Sequence, residues 1–268
     1  MIMAKSNPVL GIIGGGQLGS MLSVAAKNLK IKTIIFTDDR KAPIKNFCDE
    51  VIISEYDDKD KIQEFSEKVD LVTFEFENIP YKVLDSISKI KKIIPDPKIN
   101  QIVQNRKKEK TFLNSIGIKT TSWAYIKSED DLVKNQLLLP GLLKTCTLGY
   151  DGRGQFLIND LNEISKKIDF TNEFILEKLV NFKKEISVIL TRFENGEFSI
   201  YEPFENIHKS QILINSKIPA EISRKVFEES QTNAKLIAEK LNYVGTMCVE
   251  FFIDEDDSLL VNEIAPRV

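Results

Sequence analysis

Residues 9–29 constrain the fold of this chain more tightly than any other stretch. Val9 to Ile13 is an apolar run of strand length. Gly14-Gly15-Gly16-Gln17-Leu18-Gly19 follows at once, and then Met21, Leu22, Val24, Ala25 and Leu29 at helical spacing. A strand that passes through glycines straight into a helix opens a βαβ unit, and such units build parallel sheets. The alternation continues with strands at Thr33–Phe36, Val51–Ile53, Asp70–Phe76 and Ile90–Ile94, and helices at 58–68 and 80–88. Pro95-Asp96-Pro97 ends the pattern. Residues 1–97 are therefore expected to form a Rossmann-like domain.

The remainder, 98–268, reads as a second domain. Helices are expected near 98–104 and 106–115, and a small α+β unit at 123–180 with strands near 123–126, 138–144, 155–158 and 174–177. Leu137 to Leu143 reads as a buried strand that ends at Lys144. Further strands fall at 183–193 and 197–201. A long helix covers 219–241 with Val226, Phe227, Ser230, Ala234, Ile237, Ala238 and Leu241 as its inner stripe. Strands 245–253 and 258–264 close the chain around an acidic turn. The fold class is α/β followed by α+β.

Composition narrows the function. Net charge is −3, so no broad basic face for nucleic acid is implied. No apolar run approaches the roughly 18 residues of a membrane span. Cys48, Cys146 and Cys248 are isolated, which suits a reducing cytoplasm. A single histidine, His208, excludes a histidine-ligated metal cluster.

Two glycine-rich segments compete to define the chemistry. Gly14 to Gly19 fits G-x-G-x-x-G, with Asp38 and Asp39 at the end of the next strand, as in dinucleotide-binding domains. One reading is thus an NAD-dependent oxidoreductase. The second segment is Gly149-Tyr150-Asp151-Gly152-Arg153-Gly154-Gln155, after Lys144. Its glycines let backbone N–H groups approach an anion closely, and a ring, a carboxylate and a guanidinium sit among them. A plain turn needs no such set.

Acidic residues add a candidate cation site. Glu250 lies in the apolar strand MCVEFFI, where a carboxylate needs a partner. With a connecting loop of Glu255 to Ser258, Glu250 falls opposite Glu263 on the returning strand. A slip of one residue pairs it with Asn262 instead and turns Glu263 away. Two carboxylates and an amide suit a hard cation such as Mg²⁺ shared with phosphate oxygens. Arg106 and Lys110 share a helix face, in a run basic enough to be simply solvated. In the segment 73–77, Glu75 lies near the carboxyl end of a parallel strand, where open α/β sheets place ligands.

The loop GYDGRGQ after a strand-borne lysine resembles that of the ATP-grasp ligases. Four more segments resemble the branch of that family that acts in purine biosynthesis, the carboxyaminoimidazole ribonucleotide synthetases: GGGQLGSM at 14–21, TFEFENIP at 73–80, ENIH at 205–208 and NEIAPRV at 262–268. They run in family order across nearly the whole chain. The resemblance implies ATP with Mg²⁺ or Mn²⁺, and bicarbonate and an aminoimidazole ribonucleotide as substrates. It implies a cytoplasmic homodimer. Nucleotide contacts would come from Arg106, Lys144, the loop Gly149 to Gln155, Glu177, Lys178, Leu179, Val180, Glu185, Asn262 and Glu263. Glu250 and Glu263 would hold the metal. Gln17, Glu75, Tyr150, Arg153, His208 and Arg267 would meet the ribonucleotide, with Tyr150, Asp151 and Arg153 closing over the reacting groups. An arginine usually follows QLG in the family, where this chain has Ser20. The family continues beyond APRV into a further subdomain with substrate contacts, so the chain is expected to be a fragment, a truncation or a decayed copy. A nucleotide-binding chain without turnover is the third reading.

Overall fold

The computed structural model describes residues 7–75, 78–147, 154–161, 168–209 and 212–267. The chain divides into two compact units. The first runs to Gln101 and takes back Tyr243–Thr246 and the residues from Pro266; the second holds Ile102–Asn242 and Met247–Ala265.

The first unit contains β1 (Val9–Ile13), α1 (Gln17–Asn28), β2 (Lys32–Thr37), β3 (Glu50–Ile53), α2 (Lys59–Lys68), β4 (Leu71–Phe74) and α3 (Tyr81–Ser88). The sheet runs β3-β2-β1-β4 and is parallel throughout. Its strands are apolar on both faces, as a parallel sheet covered on both sides requires. One face packs Phe36, Phe74, Phe65 and Leu84 together, and the other packs Ile12, Ile35, Ala42 and Ile44. The strand expected at Ile90–Ile94 shrinks to one parallel bridge, Ile93 to Val72. Pro95 follows directly and has no N–H with which to extend a ladder.

α4 (Asn100–Val103) spans the boundary, and the second unit continues with α5 (Arg106–Ser115), where Asn105 accepts the Lys108 N–H as a cap. Next come β5 (Trp123–Ile126), α6 (Glu129–Lys134), β6 (Gly141–Thr145), β7 (Gln155–Ile158) and β8 (Phe174–Lys178). They form an antiparallel sheet, β5-β8-β6-β7, over Ile126, Leu132, Leu143, Phe174 and Leu176. Here the expectation for Leu137–Leu143 is corrected. Gln136–Leu138 forms a 3₁₀ turn, Leu137 is 89% exposed, and the strand starts only at Gly141. Pro140 cannot donate to a ladder, so pairing begins after it.

The larger sheet contains β9 (Phe182–Arg192), β10 (Phe198–Ile200), β11 (Phe204–Lys209), β12 (Ile212–Lys217), β13 (Gly245–Asp254) and β14 (Leu259–Arg267). Its order is β12-β11-β9-β13-β14, with β10 on β9. α7 (Arg224–Lys240) packs on β9. It buries Val226, Ser230, Ala234, Ile237 and Ala238, whereas Phe227 and Leu241 are only half-buried. It starts at the Ser223 cap rather than at residue 219, because the Ser223 hydroxyl accepts the Val226 N–H. No helix among the described residues is long and apolar enough to cross a membrane.

Candidate functional site

Glu75 follows β4 and is nearly buried. Its Oε1 accepts the Gly16 N–H at 2.5 Å and its Oε2 accepts the Gly19 N–H at 2.7 Å. These are the free N–H groups at the start of α1, where a helix dipole favours negative charge. A Cβ on Gly14, Gly16 or Gly19 would come within 2.6–2.7 Å of Glu75 atoms. The glycines therefore admit a carboxylate from this same chain. In a dinucleotide domain the pyrophosphate sits at that helix start. Here Glu75 already holds the N–H groups and would repel a phosphate, which removes the basis of the NAD reading.

Beside Glu75 lies a cavity of about 380 Å³ lined by Gly14–Gly16, Thr37, Asp38, Asp39, Tyr56 and Asn78. Three carboxylates face it, so it suits a ligand that offers hydroxyl or amino groups. Burial and the charge of Asp38 push the Tyr56 phenol far above its ordinary range, so it stays a neutral group there. Gln17 is exposed in the first turn of α1. The Ser20 hydroxyl donates back to the Gly16 carbonyl at 2.9 Å and is nearly buried. Arg267 ends β14 with its Nη1 donating to the Pro266 carbonyl at 3.0 Å.

In the second unit, three charges meet in the interior. Lys144 Nζ lies 2.6 Å from Glu177 Oε2, and Lys110 Nζ lies 2.9 Å from Glu177 Oε1. Burial drives the Glu177 carboxyl upward, but the two ammonium groups overcome it and hold the acid at about 2. Lys110 is 2% exposed, which corrects its reading as part of a solvated basic face. Arg106 opens α5 against the end of β6: its N–H donates to the Cys146 carbonyl at 2.9 Å and its Nη1 to the Thr145 carbonyl at 3.1 Å. Arg106 and Lys144 are thus brought to one place.

Across from Lys144 on β7 stands Gln155, next to Gly154, whose carbonyl accepts the Thr145 N–H. The Lys178 N–H donates to Ser122, its carbonyl accepts the Thr121 hydroxyl, and the Leu179 N–H donates to Pro140. These bonds fix the path of the chain as it leaves β8 toward Val180. Gly149, Tyr150, Asp151, Gly152 and Arg153 lie outside the described residues, as do Phe76 and Glu77.

A polar row crosses the larger sheet. Asn206 of β11 pairs with Glu185 of β9, and His208 Nδ1 contacts Glu185 Oε2. Burial raises the Glu185 carboxyl, and His208 pulls it partly back. Glu185, Asn206, Glu250 and Asn262 line one depression.

Hydrogen bonds at the tip of the β13–β14 hairpin bear on how the two strands meet. The Asp254 N–H donates to the Ser258 carbonyl, and the Asp257 N–H to the Asp254 carbonyl. The residues between the two strands are Glu255–Ser258, as expected, with Asp257 at φ 61°. Counted from the Asp254–Ser258 pair, Glu250 stands opposite Asn262, and a regular ladder would turn Glu263 to the other face. The ladder is not regular. Along a strand, N–H groups two residues apart point to the same side. On the free side of β14, however, the Val261 N–H reaches the Lys119 carbonyl and the Ile264 N–H reaches Glu109, three residues apart. The adjacent carbonyls of Val261 and Asn262 both face Lys110. Burial repeats the pattern: Leu259 and Val261 are buried, Leu260 and Asn262 half-buried, and Glu263 is half-buried again before Ile264. That irregularity is what a bulge at Asn262–Glu263 produces, and a bulge that sets two residues against one would leave both side chains on the face of Glu250.

This donor set is two carboxylates and an amide oxygen, all hard ligands. Among the described residues no group of three or more His, Cys, Asp or Glu could hold a metal alone. The set fits a cation that completes its shell with phosphate or water oxygens, as Mg²⁺ does. Glu109, which the sequence did not single out, lies behind the bulge, and burial together with the charge of Glu263 pushes its carboxyl up to about 8.

Residues 8–104 match the ribonucleotide synthetase preATP-grasp domain, and residues 111–268 match the ATP-grasp domain. The N5-carboxyaminoimidazole ribonucleotide synthase of Brucella melitensis is 38% identical over 270 residues, with 98% of this chain and 75% of the relative covered. The N5-carboxyaminoimidazole synthetase of Staphylococcus aureus complexed with ADP aligns with a TM-score of 0.91 at 35% identity, covering 97% of this chain and 70% of that one. The Aspergillus clavatus synthase in complex with ADP and 5-aminoimidazole ribonucleotide aligns with a TM-score of 0.86 at 26% identity, covering 97% and 69%.

Proposed function

This chain belongs to the N5-carboxyaminoimidazole ribonucleotide synthetases of the ATP-grasp family, and from that premise we propose that it joins bicarbonate to the exocyclic amine of 5-aminoimidazole ribonucleotide while ATP is cleaved to ADP and phosphate. Bicarbonate is a poor electrophile. When its oxygen attacks the γ-phosphorus and ADP leaves, the product is carboxyphosphate. The amine nitrogen then attacks the carboxyl carbon, or CO₂ released beside it; phosphate departs and the nitrogen loses a proton.

The residues divide by unit. Lys144, oriented by Glu177, and Arg106 bind the nucleotide phosphates, whose developing charge needs fixed cations. Residues 177–180 run along the adenine. Glu185 accepts the ribose hydroxyls, and its contact with His208 supports placing that histidine with the nucleotide rather than with the second substrate. Glu250, Asn262 and Glu263 would hold Mg²⁺ or Mn²⁺, which would supply positive charge against the charge developed in phosphoryl transfer. Tyr150, Asp151 and Arg153 close over the reacting groups and exclude water from a hydrolysable intermediate. Gln17, Glu75 and Arg267 meet the ribonucleotide, beside a cavity whose carboxylates suit hydroxyl and amino groups.

The observation that carries this reading is the depression lined by Glu185, Asn206, Glu250 and Asn262, a set of oxygen donors beside the irregular stretch of β14 that holds Glu263. The test is label transfer from ¹⁴C-bicarbonate. Acid-labile label on the ribonucleotide, formed only with ATP and with one ADP per label, is the expected result. ADP release without labelled product overturns the proposal.

A further inference from the structure

Two residues of α5 with no part in that chemistry grip the bulge of β14. Glu109 and Lys110 are 3% and 2% exposed. Glu109 Oε1 accepts the Ile264 N–H at 2.6 Å. Lys110 Nζ donates to the carbonyls of Asn262 at 2.9 Å and Val261 at 3.4 Å, and its third partner is Glu177. Both side chains are thus spent on residues 261–264, the stretch where the strand is irregular. Burying a carboxylic acid and an ammonium group is costly, and water would satisfy an exposed strand edge at no such cost. A regular strand would not match these partners either, because Val261 and Ile264 would then present their N–H groups on opposite sides.

We propose that Glu109 and Lys110 are positioning residues for the cation site: by holding the main chain of 261–264 they aim Asn262 and Glu263 at the metal. Lys110 also reaches Lys144 through their shared Glu177, so one network joins the cation strand to the phosphate-binding lysine. The inference rests on the nucleotide reading above. Groups that orient metal ligands from behind commonly change metal affinity by about 10–100-fold when removed.

The experiment measures Mn²⁺ affinity of the ADP complex by EPR titration, and ADP affinity in EDTA, for the chain and for Glu109→Leu and Glu109→Gln. If the unmodified chain binds no ADP, the nucleotide reading fails and takes this inference with it. With ADP bound, Glu109→Leu is expected to lose about tenfold in Mn²⁺ affinity while its ADP affinity in EDTA is unchanged. Glu109→Gln keeps an oxygen for the Ile264 N–H and is expected to recover most of the loss. Unchanged Mn²⁺ affinity in Glu109→Leu, or an equal loss in EDTA, overturns the inference. Should Glu109→Leu show no cooperative melt, Lys110→Gln is judged by the same two affinities.

Discussion

The carboxylate of Glu75 accepts the Gly16 N–H at 2.5 Å, so one acid both closes the glycine loop and starts α1. Replacing it orphans two N–H groups in a nearly buried place. Glu75→Ala should destabilise the protein by about 1–3 kcal/mol in urea unfolding. Glu75→Gln should cost less, since one amide oxygen can still accept. Equal stability of all three proteins would mean that the loop holds its shape without the acid.

The same contact decides between ligands. ATP with Mg²⁺ should raise the melting temperature, and NAD or NADP at equal concentration should not. A shift with either dinucleotide alone would contradict the role given to Glu75.

Glu177 pairs with Lys144 and is one of three partners of Lys110 among the described residues. Glu177→Gln leaves two buried ammonium groups facing an amide, and should cost about 3–5 kcal/mol. Lys144→Met leaves Glu177 paired with Lys110, so the fold should lose less. ADP affinity should nevertheless fall by about tenfold or more, the worth of one charge-assisted bond. Calorimetric titration of ADP on Lys144→Met measures this directly.

Glu109 ties stability to pH. Its carboxyl is raised from 4.5 to about 8, so the folded protein keeps a proton that the unfolded chain has released. Stability from this group therefore falls as pH rises from about 4.5 to about 8. Glu177 acts in the other window: with its carboxyl near 2, its contribution is complete above about 4.5 and is lost as pH drops toward 2. Glu109→Gln is neutral at every pH. Melting in EDTA should show it level with the parent near pH 5 and ahead by roughly a kcal/mol or more at pH 8. A gap that does not grow with pH would remove the case for a raised acid.

The Glu185–His208 contact predicts a specificity effect. Glu185→Gln should weaken ATP more than 3′-deoxy-ATP, narrowing the ratio of their kcat/KM values. His208→Asn should move the ratio in the same direction by less. A histidine change that affects only the ribonucleotide KM would place His208 with the other substrate.

Local patterns carried much of this fold into view. The parallel unit is legible because each strand, glycine turn and helix is short-range and periodic, as in Val9 to Leu29. Ile212–Lys217 is not legible, because every residue of that strand is exposed and it has no alternation to read. Leu137 looked like strand because its run is apolar, yet Pro140 outranks hydrophobicity in deciding where a ladder begins. Glu109 and Lys110 sat inside a run of charges. Their partners lie 155 and 151–152 residues away, beyond any local pattern. The bulge itself has no signature in Asn262-Glu263, since the groups that reveal it, Glu109 and Lys110, lie in α5.

That bulge separates two properties that a plain hairpin couples: how many residues its tip contains and where its far side chains point. In a regular pair, adding or removing one residue at Glu255–Ser258 would invert every side chain beyond it. A bulge at Asn262–Glu263 would absorb such an odd residue upstream of Ile264 and the buried residues that follow. The spacing between Glu250 and Glu263 along the chain is then free to drift by one while their shared direction is kept. A search for such carboxylate pairs by fixed interval would pass over members of this kind, and the invariant to look for is the clamp behind the strand.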